Sequence, residues 1–165
     1  MRHENLVKLL TVNEIHVDLR GHLDRAPLPF AAEYGLEAIT KLLIDMAKAD
    51  ANLKDQNNQT PLLLAVENGH EAVVRLLLSS DLAHVDARHN AGTTPLLHVI
   101  YDGHEAIAKL LLATGKAGIN ILDASDFTPL LLAVYQGHES IVRLLLETGQ
   151  VDVDTKDSGG RTPLL

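Results

Sequence analysis

The chain has 165 residues, with 22 Asp and Glu against 14 Lys and Arg for a formal charge of −8. Its 46% hydrophobic content rests on 31 leucines, with 3% aromatics and neither Cys nor Trp. This composition excludes a disulfide framework, a thiolate nucleophile and a Cys-ligated zinc, and the acidic balance argues against a general nucleic-acid binder, which needs a clustered basic face. No apolar run approaches the ~18 residues of a membrane span, and the opening MRHENLVKLL mixes in too many charges for a signal peptide.

In chain order, residues 1–25 predict a helical segment, Glu4 to Leu10, and a following loop. From there the chain repeats itself. Pro27, Pro61, Pro95, Pro129 and Pro163 are spaced by 34 residues. Four of them sit in Thr-Pro-Leu (Thr60, Thr94, Thr128 and Thr162 lead), and the first reads Ala26-Pro27-Leu28. Thr before Pro predicts a helix start: the hydroxyl caps orphan N–H groups, and Pro is pre-shaped for the first helical position. Gly35, Gly69, Gly103 and Gly137 then predict left-handed helix ends.

A second helix follows each of these glycines, as in Glu71 to Leu78. Its apolar positions (73, 74, 76, 77 and 78) form too broad a stripe for a helix exposed on most sides. Leu triplets recur at 76–78, 110–112 and 144–146. Each unit closes on a polar, Gly-containing stretch that predicts a small hairpin, such as Val85-Asp86 running to Asn90-Ala91-Gly92. The expected organisation is one domain, 1–165. It comprises full repeats 26–59, 60–93, 94–127 and 128–161, a partial repeat 1–25, and the start of another at 162–165. No unit of this size buries its apolar face alone, so neighbours must stack, and Leu suits the layers between them.

Thr-Pro-Leu-x-x-Ala, Gly-His-Glu, the Leu triplets and the loop turns together resemble the ankyrin repeat, over essentially the whole chain. The stretch 148–157 is similar to the long ankyrin arrays of large fungal multidomain proteins. The resemblance implies an all-α solenoid of helix-turn-helix units with hairpin loops. It also implies an intracellular, cytoplasmic or nuclear, protein. Where the family carries His after Thr-Pro-Leu, this chain has Leu63, Leu97 and Leu131, which predicts apolar stacking instead. Ala26 forgoes the Thr cap, worth ~1 kcal/mol, so the terminal repeats are expected to be the least stable. Solenoids end in polar capping repeats, whereas this chain ends in Leu164-Leu165; it is therefore expected to be a monomer or a piece of a longer array.

Little in the chain suggests chemistry. His70, His104 and His138 recur in the turn between helices, and equivalent residues of stacked repeats lie ~8–10 Å apart, too far to share a zinc with bonds of ~2 Å. They are read as turn histidines bonded to backbone, while His84, His89 and His98 leave a weak metal site open. Asp81, Asp86, Asp123, Asp126, Asp152, Asp154 and Asp157 read as solvated loop charge rather than acid–base pairs. No phosphate loop, dinucleotide fingerprint or nucleophile elbow occurs. The expectation is no catalytic residue, no cofactor, no bound metal and no enzyme.

By the resemblance, a concave face made of hairpin tips and first-helix ends would bind a protein partner, neutral or basic given the charge, with no nucleic acid or membrane involved. Its recognition positions would be Tyr34, Glu67, Asn68, Tyr101, Asp102, Tyr135 and Gln136 at the helix ends. Phe127, Gln56, Asn57, Asn90 and Ser125 would join them from the loops, leaving Phe30 for the core. Tyr offers large, stiff, amphipathic contact area. Two other readings stand beside this one. The array is a passive spacer or regulatory segment of a larger protein, or it is the substrate of an asparagine hydroxylase, with Asn52 and Asn120 at the matching positions and Asp86 and Asp154 in the other copies.

Overall fold

A computed structural model describes residues 18, 26–45, 47–156, 159–160 and 162. The helix expected over 4–10 and the chain end from Pro163 to Leu165 lie outside them. The described residues form eight helices and no strand. The chain divides into two compact units, Met1–His84 and Val85–Leu165.

The first unit contains α1 (Pro27–Glu33), α2 (Glu37–Asp45), α3 (Pro61–Glu67) and α4 (Glu71–Ser79). Thr60 caps α3 as its sequence predicts: its hydroxyl accepts the Leu63 N–H at 3.3 Å, and Pro61 fills the first turn. Ala26 holds the same extended backbone before α1 but offers no side-chain bond. The helices pair as hairpins, α1 with α2 and α3 with α4, and the hairpins stack α1 on α3 and α2 on α4. Leu28, Ala31 and Ala32 thereby meet a helix whose residues 61–66 are all buried. On α4 the stripe resolves by depth. Val73, Val74 and Leu77 are buried, while Leu76 and Leu78 are half-buried.

The second unit repeats this plan with α5 (Pro95–Asp102), α6 (Glu105–Ala113), α7 (Pro129–Gln136) and α8 (Glu139–Glu147). Thr94 and Thr128 accept the Leu97 and Leu131 N–H groups at 3.4 and 3.2 Å. α5 stacks on α7 and α6 on α8. Leu96, Leu97, Ile100, Leu111, Ile141 and Leu145 fill the layer, each at most 2% exposed. Burying such a side chain contributes about 1.5–3 kcal/mol, which accounts for a Leu-rich composition in helices only seven to nine residues long. Leu63 and Leu97 are buried where the family's His would stand, as the apolar-stacking expectation requires.

The turn between the paired helices has a steric cause. Gly35 and Gly103 take φ of +64° and +75°, and a Cβ on either would lie 2.6 Å or 2.8 Å from the imidazole of His70 or His138. The glycine thus admits both the left-handed backbone and the ring of the next repeat. His70 Nε2 donates to the Glu33 carbonyl at 3.0 Å, the backbone bond expected of these histidines. His138 differs, because its buried Nε2 has no hydrogen-bond partner. The Tyr101 carbonyl, at the equivalent register, lies 3.4 Å from Gln136 Nε2.

Candidate functional site

The loops are built by side chains acting on backbone. Asp55 Oδ1 accepts the N–H groups of Asn57 and Gln59, both at 2.8 Å, and the Asp55 N–H donates to the Gln59 carbonyl at 2.9 Å. Asp123 does the same with Ser125 and Phe127, both at 2.8 Å. His89 occupies the equivalent place and substitutes Nδ1 as acceptor for the Ala91 N–H at 2.9 Å. The expected hairpin is therefore a tight turn closed by one residue's side chain, with no strand ladder among the described residues.

A second set of bonds ties each loop to the next. Asp18 accepts the Asp50 N–H at 3.0 Å, Asn52 that of His84 at 2.7 Å, Asp86 that of Gly118 at 2.8 Å, and Asn120 that of Asp152 at 2.9 Å. In all four cases acceptor and donor are 32 residues apart. Asn52 and Asn120 also donate Nδ2 to the Leu82 and Gln150 carbonyls. Asn52 and Asn120, at the positions expected for hydroxylation, are thus fastened at both ends of the carboxamide. Asp86 and Asp123 are likewise structural acceptors, more than solvated charge.

The tyrosines at the helix ends are largely exposed. Tyr34, Tyr101 and Tyr135 are 55%, 63% and 68% exposed. Glu67, Asn68, Asp102, Gln56, Asn57, Asn90 and Ser125 are exposed as well, and Phe127 and Gln136 are half-buried. Phe30 corrects the expectation of a core position. It is 41% exposed, with its ring 4.6 Å from that of Tyr34. Residues four apart on a helix share a face, so Phe30 follows Tyr34 outward. In the second unit Phe127 meets Tyr135 edge-on at 5.5 Å.

Two cavities gather part of the expected set. In the first unit, a cavity of about 240 Å³ is lined by Asn57, Glu67 and Asn68, with Glu33, Asp55, Gln59 and Leu64. Gln59 Nε2 donates to Glu67 across it. In the second unit, a cavity of about 320 Å³ brings Tyr101 and Ser125 together with His89, His98, Asp123, Leu97 and Leu132. Asn90, Gln56, Tyr34 and Tyr135 line neither of these two. Sequence reasoning missed His98, Asp123 and Leu132 as part of one concavity. A signal existed for His98, which takes the register position of Leu64 and Leu132 and so places a polar ring in an apolar row. No group of three or more His, Asp or Glu among the described residues is arranged to hold a metal ion, and no described helix is long and apolar enough to cross a membrane.

A family model for ankyrin repeats in three copies matches residues 1–88, 28–122 and 81–157. The chain belongs to the ankyrin-repeat family. No curated protein matches it in a sequence search. Ankyrin repeats generally mediate protein–protein interaction and are typically non-catalytic.

Proposed function

We propose that this chain is a non-catalytic interaction module that binds a protein partner through the first-helix ends and loop tips of its units. In this reading residues 26–59, 60–93, 94–127 and 128–161 are the full repeats of one array, and the excess acid favours a neutral or basic partner. The observation that carries the reading is the disposition of the tyrosines. All three are more than half exposed, on helices whose remaining apolar residues are largely buried and whose ends are fixed by turn and loop bonds. Large, stiff side chains on a rigid frame bind with little ordering cost. Beside them Glu67, Asn68, Asp102 and Gln136 at the helix ends, and Gln56, Asn57, Asn90 and Ser125 on the loops, supply polar contacts.

The test is a Tyr101→Ala, Tyr135→Ala double variant. Losing two aromatic anchors should weaken partner binding by about tenfold or more, read as affinity for the proteins captured by the unaltered chain. The melting temperature should move by only a few degrees, since both rings are exposed and Tyr135 meets Phe127 only edge-on. Unchanged affinity, or a collapse in melting temperature, would reject the tyrosines as anchors, and capture of no protein by the unaltered chain would favour a passive spacer.

A further inference from the structure

The cavity of the second unit has a chemistry of its own. Leu97 and Leu132, 1% and 7% exposed, give it an apolar base. Three flat rings line it: Tyr101, His89 and His98, the two imidazoles edge to face at 6.1 Å. Asp123 is the acidic residue on its wall. We propose that this cavity is a subsite for an arginine side chain presented by the partner. The proposal rests on the interaction reading above and names the chemistry of one contact within it.

Four features converge on a guanidinium. The volume of about 320 Å³ suits one long side chain and excludes a folded element. The apolar base matches the methylene stem of arginine, whose charged head seeks a polar exit. Tyr and His faces accept a planar cation by stacking, which a compact ammonium exploits less well. Finally, the charge is complementary. Asp123 closes its loop with Oδ1 alone, which takes both the Ser125 and Phe127 amides, so loop closure makes no demand on Oδ2. Exposed Asp102 and Asp126 follow Tyr101 and Ser125 in the chain and deepen the negative field. Arg88, the residue before His89, donates to the Gly92 and Leu122 carbonyls at 3.0 and 3.4 Å. The cavity of the first unit lacks this combination, having three carboxylates and no aromatic wall.

The test is an NMR titration of the full chain with a capped Gly-Ser-Arg-Ser-Gly peptide and its citrulline and lysine counterparts. Citrulline keeps the shape of arginine and removes the charge. The arginine peptide should shift the amide signals of Tyr101, Ser125 and Phe127 and bind about fivefold or more tighter than the citrulline peptide. Asp123→Asn retains an oxygen for both loop amides, so the fold should persist while that preference disappears. Equal binding of citrulline, a preference surviving in Asp123→Asn, or lysine binding as tightly as arginine would each overturn the assignment. So would silence of those three amides at millimolar peptide. Each of these results is separable from the parent reading. Failure here alongside loss of partner binding in the tyrosine variant removes only the arginine subsite. Arginine binding with an intact partner affinity in that variant, which also lacks the Tyr101 wall of the cavity, removes the anchors and overturns the cavity's use by the partner.

Discussion

Ala26 and Thr60 show how much one hydroxyl settles. Both precede a proline, and both hold extended backbone with ψ of 154° and 162°, yet only Thr60 satisfies an orphan N–H at its helix start. Ala26→Thr should therefore stabilise the first unit by about 1 kcal/mol, read as a higher denaturant midpoint with unchanged slope. Asp152 makes the same point for a loop. The Asp154 N–H donates to its Oδ1 at 2.9 Å. That backbone bond, with a further one from the Thr155 side chain, holds the carboxyl below the ordinary aspartate range. A lowered value in the fold stabilises it above the ordinary range, and the contribution is lost as pH falls through the lowered midpoint. An NMR titration should place the Asp152 midpoint below that of Asp154→Pro, which lacks the donor, and coincident midpoints would refute the assignment.

At the scale of the element, the Leu triplets separate pattern from depth. In α8 the middle residue, Leu145, is fully buried, while Leu146 is 49% exposed. Leu145→Ala should cost about 2–5 kcal/mol through lost burial and a cavity. Leu146→Ala should cost under about 1 kcal/mol. Equilibrium unfolding of the two variants checks this, and equal losses would mean that Leu146 is covered in solution. Helix starts at Thr-Pro, left-handed ends at Gly and the register of 34 were legible because each depends on residues close in sequence. The exposure of Phe30 was not legible, since an aromatic residue on a short apolar helix reads as core until the face it shares with Tyr34 is known. Nor was the part played by Asp55, His89 and Asp123. An acidic residue in a polar stretch looks solvated until backbone amides converge on it.

On the scale of the whole molecule, the two units follow one plan and differ in the surface they present. The first gathers Glu33, Glu67 and Asp55 around its cavity, and the second gathers Tyr101, His89 and His98. Asp55 and His89 also close their loops by accepting backbone amides, whereas exposed Glu67 and Tyr101 differ between the units beside the same leucine layers. The tyrosine variant and the arginine titration interrogate this division directly: both should change recognition and leave the fold in place.

The sequence by itself determined the family, the helical unit and its period, and that leucine would fill the layers between units. Those features are written in local chemistry (caps, turn glycines, apolar spacing) repeated until chance is excluded. The tertiary structure alone decided which aromatics face outward, which aspartates and asparagines are fasteners, and that Tyr101, His98, Leu132 and Asp123 share one cavity. These residues are up to 34 positions apart, and only the stacking of α5 on α7 brings them together. Sequence spacing gives the register of each side chain, whereas a site exists only where neighbouring repeats cover one side of it and leave the other open.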